Sequence, residues 1–140
     1  MATEFKDSSI SSVLQLKHVV FDEITFKRLG FQNKKEKNAR LDFGKHVEKI
    51  DEGEYRVSLS IKAVREKEYE ATVTISGYCG ISEEVPFKDR ILNENAIAIL
   101  FPYVRAELTL LTAQPETETL MIPVVNINAM FKQVETEDTV

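Results

Sequence analysis

Apolar and polar positions alternate with strict period two through the middle of the chain. Tyr55, Val57, Leu59, Ile61 and Ala63 are interleaved with Arg56, Ser58, Ser60 and Lys62. After the charged turn 65–68 the rhythm returns, with Tyr69, Ala71, Val73 and Ile75 against Glu70, Thr72 and Thr74. Such alternation predicts strands that bury one face. Two more candidates precede them. Residues 14–26 alternate at Leu14 and Leu16 and again at Ile24 and Phe26, and Val19-Val20-Phe21 interrupts the pattern between. A bulge or bend there puts both halves on one face. A second strand starts near residue 39, with Leu41 and Phe43 apolar. Short turns, such as Asp51-Glu52-Gly53-Glu54, join these segments without intervening helices, so the sheet is expected to be antiparallel. Gly77 and Gly80 either end the fourth strand or let another backbone approach closely.

The period then changes. Asn93-Glu94-Asn95 offers a cap for a helix running to about residue 113, before Pro115. Ile97, Phe101, Val104, Leu108 and Leu111 form one stripe at helical spacing. Ala96, Leu100, Tyr103, Ala106 and Leu110 widen it. Pro102 falls inside this helix, and a kink or restart is expected there. A loop at 114–119 and an extended stretch at 120–125 follow. Asn126 or Asn128 then caps a short last helix with Ile127, Met130, Phe131 and Val134 at i, i+3, i+4, i+7. The predicted fold is α+β: a four-stranded antiparallel sheet, a long helix, and a short C-terminal helix. Residues 1–12 read as a flexible polar N-terminus, 13–133 as one domain, and 134–140, with three acids and no base, as a solvated tail.

Composition removes several functions. Eighteen Lys and Arg against 23 Asp and Glu give a net charge of −5, which opposes general nucleic-acid binding. The single cysteine, Cys79, excludes an intrachain disulfide and a multi-cysteine zinc site. The N-terminus lacks a signal-peptide core. The longest charge-free apolar run, 96–104, is nine residues, about half of a membrane span. Cytoplasmic residence without membrane insertion is the expectation.

Catalytic constellations are missing as well. There is no G-x-S-x-G, no phosphate-cradling glycine loop and no H-E-x-x-H. His18 and His46 lie on the first and second strands and meet only if those strands pair, with no third ligand in view. Cys79 beside two glycines reads as a small strand-end residue. The basic loop 34–40 reads as a solvated turn. The chain is therefore expected to be no enzyme and to need no metal or cofactor.

What remains is apolar surface beyond what one sheet face covers. A helix apolar on two sides favours an oligomer interface. Leu29, Phe31, Ile127, Met130 and Phe131 are surplus apolar positions suited to a groove for extended apolar peptides.

Two segments carry a resemblance. Leu100-Phe101-Pro102-Tyr103-Val104-Arg105, and later Val125-Asn126-Ile127-Asn128-Ala129-Met130-Phe131, are similar to the "ILFPYAR" and "P-V-N-F-D-A-L-F" segments of the SecB family of protein-export chaperones. Leu14-Gln15-Leu16 and Ile24-Thr25-Phe26 resemble that family's "FQI…ISF", and the order of elements agrees from about residue 13 to 133. The resemblance implies a cytoplasmic, ATP-independent holdase for unfolded or precursor polypeptides. It further implies a homotetramer, a dimer of dimers with helices sandwiched between sheets, that passes clients to the motor SecA. Ala96, Ile97, Leu100, Tyr103, Val104, Leu108 and Leu111 would then serve the oligomer interface. The chain departs from the pattern in three places. Pro123 is followed by Val124-Val125, one residue displaced. Of the acids that dock SecA, Glu23 remains, while Lys27 and Thr72 stand where two others would be. Those two changes imply weakened docking. The family also includes export-independent members that guard labile antitoxins. The residues alone leave open a structural or scaffolding oligomer with one fixed folded partner.

Overall fold

In the computed structural model, residues 13–31, 38–123 and 126–138 are described. Strands β1 (Gln15–Arg28), β2 (Arg40–Asp51), β3 (Glu54–Arg65) and β4 (Tyr69–Gly80) form one antiparallel sheet in the order β1-β4-β3-β2. Helix α1 (Lys88–Arg90) leads through a π-helical turn, Ile91–Asn95, into α2 (Ala96–Thr112), and α3 (Ile127–Asp138) follows.

The alternation seen in the sequence sets the two faces. Tyr55, Val57, Leu59, Ile61 and Ala63 pair with Cys79, Gly77, Ile75, Val73 and Ala71, and these side chains are buried on the face that α2 covers. The opposite face is polar. Ser58 Oγ lies 2.8 Å from Ser76 Oγ, and Ser60 Oγ lies 2.9 Å from Thr74 Oγ1, in adjacent cross-strand rows. The β1–β4 register shifts twice, between Leu16 and His18 and between Phe21 and Glu23, so irregularities bracket the Val19–Phe21 interruption as expected. The second frees Asp22 to accept a hydrogen bond from Ser76 on the polar face. Phe21, Ile24 and Phe26 thereby stay on the α2 side, opposite Ile75, Val73 and Ala71.

Gly77 makes the helix contact possible. A Cβ there would lie 2.9 Å from Leu16 Cδ1 and 3.2 Å from Leu100 Cδ2. What approaches this glycine is not another backbone, as the sequence suggested, but the side chains of Leu16 and of Leu100 on α2. Ile97, Leu100, Val104 and Leu108 are fully enclosed between helix and sheet.

Several expectations are corrected. The helical stretch begins at Lys88, not at 93–95. Asn95 has helical dihedrals and no side-chain cap bond, and Asn93 Nδ2 instead donates to the Asp89 carbonyl, 2.8 Å away. A π turn at Ile91–Asn95 precedes α2, and α2 runs through Pro102 without a restart. Pro102 and Ala98, whose carbonyl loses its usual donor, both lie on the exposed side of the helix, where a proline is tolerated best. Residues 120–123 join no strand. Fully buried Thr112 accepts from the Leu120 amide at 2.8 Å, and Thr109 donates to the Leu120 carbonyl at 2.9 Å, so two threonines of α2 hold this segment. Asn126 caps α3, its Oδ1 accepting from the amides of Asn128 and Ala129. The backbone of α3 continues to Asp138, into the segment expected as a tail. The displaced Val124-Val125 pair, the expected N-terminal arm 1–12 and most of the basic loop 34–40 lie outside the described residues.

Glu83 locks the opposite end of the sheet. Its carboxylate accepts from the Gly53 amide (2.9 Å) and the Tyr55 hydroxyl (2.8 Å), and pairs with Lys49 (3.1 Å) and Lys88 (2.5 Å). These bonds, Lys88 foremost and then Gly53 and Tyr55, hold the carboxyl well below the ordinary glutamate range. A carboxyl depressed on folding adds stability that is complete above its unfolded pKa, about 4.3, and is lost as pH falls toward the folded value. Thermal midpoints should therefore fall steadily below about pH 5, by this and other paired carboxylates. Glu83→Gln should shallow that acid limb and lower the midpoint at neutral pH. An unchanged pH profile would show that the clamp does not contribute.

Candidate peptide-binding site

Where β1 ends, the chain turns onto the β3–β4 turn. The amides of Leu29 and Gly30 both donate to the Glu68 carbonyl, at 2.8 and 3.3 Å. A Cβ on Gly30 would sit 2.7 Å from the Lys67 carbonyl oxygen, so only glycine permits this approach. With the backbone pinned there, Leu29 and Phe31 are left outside the core, 45% and 57% exposed.

Beside them one row crosses three strands on the helix side: Arg28 of β1, Tyr69 of β4 and Arg65 of β3. Tyr69 stacks on Phe26 with centroids 5.3 Å apart. Each arginine lies over an aromatic ring, Arg28 at 5.7 Å from the Phe26 centroid and Arg65 at 5.8 Å from that of Tyr69. The connection between α2 and α3 passes over this row. Arg28 Nη2 donates to Thr117 Oγ1 and, at 3.4 Å, to the Pro115 carbonyl, while Arg65 Nη1 donates to Glu118 Oε2 at 3.1 Å. The arginine row did not enter the sequence expectations. The signal was present in the parity of β3, which carries residue 65 to the same face as Ala63.

The other expected groove residues sit differently. Ile127 and Phe131 are 2% and 7% exposed and dock α3 on the sheet. Phe131 packs edge-on to Phe43 at 6.0 Å, with the Lys45 ammonium 4.7 Å from its ring centroid. Asn128 Nδ2 donates to the Glu94 carbonyl, fastening α3 to the π turn. Met130 is half-buried against the core. Thus Leu29 and Phe31 present free apolar surface, Met130 a partial one, and Ile127 and Phe131 none.

The interface assignment on α2 is corrected in the same way. Ala96, Ile97, Leu100, Val104 and Leu108 belong to the chain's own core, and Leu111 is half-buried. Of the expected set, only Tyr103 faces outward. It joins Ile99, Ala106 and Leu110 in an exposed stripe at i, i+4, i+7, i+11, with Leu110 68% exposed. Phe21 and Ile24 of β1, on the same side of the sheet, are also exposed.

Glu23, Lys27 and Thr72 do come together, on the polar face. Glu23 lies opposite Thr74, Thr25 opposite Thr72, and Lys27 opposite Glu70. His18 and His46 sit on opposite edge strands and cannot meet. Among the described residues no three His, Cys, Asp or Glu side chains converge to hold a metal, and no helix is long and apolar enough to cross a membrane. Cys79 is buried, which pushes its thiol up to about 11 and away from nucleophilic use.

Comparison with known proteins agrees with this architecture. A solved structure of Mycobacterium tuberculosis, described as "Rv1957 SecB-like chaperone in complex with a ChAD peptide from Rv1956 HigA1 antitoxin", superposes with a TM-score of 0.68. It covers 84% of this chain and 95% of that one, at 13% identity, a likeness of fold. "Uncharacterized protein MJ0357" of Methanocaldococcus jannaschii is 28% identical over 104 residues, 70% of this chain and 67% of that protein. The model of the family "Preprotein translocase subunit SecB" matches residues 8–138. The chain belongs to the SecB family, a family of cytoplasmic, non-catalytic chaperones.

Proposed function

We propose that this SecB-family chain is an ATP-independent holdase that keeps particular extended clients soluble, working outside general export. The observation that carries the reading is the pair Leu29 and Phe31, held out of the core by a backbone pinned to the β3–β4 turn. Exposed large apolar side chains fixed on a rigid strand end suit the capture of an unfolded segment. The structural neighbour that holds an antitoxin peptide supports a client-specific role. Holding a client in a groove implies enclosing walls, and the exposed α2 stripe together with Phe21 and Ile24 supports assembly of several copies, a homotetramer built as a dimer of dimers.

Phe31→Asp and Met130→Asp should each weaken binding of a labelled unfolded client while leaving the assembly mass, read by sedimentation, unchanged. Unchanged client binding in both variants would sink the groove assignment. Saturable binding of one folded partner, with indifference to unfolded chains, would instead favour a scaffolding oligomer.

The polar face argues against delivery to SecA. The resemblance implies an acidic docking patch, and here Lys27 adds a cation one row from Thr72, with Glu70 opposite it. A reversed charge in a patch that must attract a basic partner adds repulsion to lost attraction. SecA binding should be weak or absent, and Lys27→Glu with Thr72→Glu should strengthen it and steepen its salt dependence. Tight, salt-sensitive SecA binding by the unmodified protein would contradict this.

A further inference from the structure

The arginine row beside Leu29 is built unlike a hydrophobic groove wall. Arg65 is 5% exposed, and its Nε has no hydrogen-bond partner, since the Glu68 carboxylate lies 3.8 Å away. The hydroxyl of fully buried Tyr69 is likewise without a partner. Two donors thus stand under-used in a buried place, where an unmet polar group is costly. The carboxylate that does accept from Arg65 comes from Glu118, which is itself 63% exposed and lies on the connection between α2 and α3. Among the described residues, Arg28, on the other side of Tyr69, bonds to neutral oxygens of that connection, those of Thr117 and Pro115. Among the described residues the row therefore sets two guanidinium groups beside two acids, the largely enclosed Glu68 and the exposed Glu118, and only Glu118 is placed to be exchanged.

We propose that Arg65 and Arg28 form an acid-selecting position for extended clients, with Glu118 occupying it when no client is bound. This deepens the holdase reading and rests on it. A client carboxylate displaces Glu118 from Arg65 and meets Arg28, and the apolar residues beside that carboxylate settle on Leu29 and Phe31. Planar, fork-shaped donors suit this exchange of one carboxylate for another. Clients of alternating apolar and acidic residues are favoured over neutral or basic ones.

The test uses the whole protein and three labelled peptides, alternating Leu with Asp, with Asn or with Lys, followed by fluorescence anisotropy. The Leu-Asp peptide should bind about tenfold more tightly than the Leu-Asn peptide, the effect of one charge-assisted hydrogen bond, and the Leu-Lys peptide most weakly. Glu118→Gln removes the internal competitor, so it should tighten Leu-Asp binding and leave Leu-Asn binding unchanged. Arg28→Gln, at an exposed position that leaves the buried Arg65 pair intact, should shrink the Leu-Asp preference. Equal affinity for Leu-Asp and Leu-Asn peptides, or a ratio unmoved by both variants, overturns the assignment while leaving the holdase reading standing. Failure of all three peptides and of a denatured protein client to bind overturns both.

Discussion

If the chain assembles as proposed, Tyr103→Asp combined with Leu110→Asp should leave a folded monomer. Both side chains lie on the outer stripe of α2, away from the sheet that α2 covers. Burying an apolar side chain of this size contributes about 1.5–3 kcal/mol, and a partly exposed one gains a share of that. A symmetric contact counts every substitution on each copy, and an acid there must also be desolvated. The association constant should fall by about 100-fold or more. Sedimentation velocity reads the loss of mass, and circular dichroism should find the fold and its melting little changed, as for exposed substitutions generally. Unaltered mass would show that this stripe is no interface. Loss of the fold would assign these positions to the core.

Leu100→Ala, one turn from Tyr103 on the same helix, should do the reverse. Leu100 is fully enclosed and its methyl groups fill the space that Gly77 leaves open on β4. Truncating such a residue costs about 2–5 kcal/mol, the lost transfer energy plus that of the cavity. Domains of this kind have only about 5–15 kcal/mol in hand, so a large part of the stability goes. Urea unfolding should show a lower midpoint with the slope unchanged. A loss under about 1 kcal/mol would mean that the packing of α2 on Gly77 is much looser than the structure has it.

Leu100 and Tyr103 mark where the sequence could and could not be read. Period two in β3 and β4 announced both strands and their buried faces, because a central strand meets neighbours on both edges and one apolar layer. The edge strand β1 was legible only in halves, since two register shifts spoil its alternation. On α2 the composition is apolar nearly all round, so periodicity could find the helix but not say which stripe faces inward. That depended on Gly77, where a missing Cβ draws Leu100 rather than Tyr103 to the sheet. The helical start at Lys88 was hidden because Phe87, left-handed with φ 63°, supplies the entry without any capping side chain. For the site, Leu29 and Phe31 stood out as apolar residues next to a glycine and a basic loop. Ile127 and Phe131 look the same in sequence, and only Phe43 and Lys45, distant along the chain, bury Phe131. The Glu118–Arg65 pair joins residues 53 positions apart and leaves no local trace.

A holdase is defined by its hold on unfolded chains. A denatured client, diluted from urea into buffer without nucleotide, aggregates and scatters light. Stoichiometric amounts of the protein should suppress that scattering, with Phe31→Asp suppressing it less. Scattering that rises equally fast with and without the protein, at every ratio up to excess, would contradict the claim.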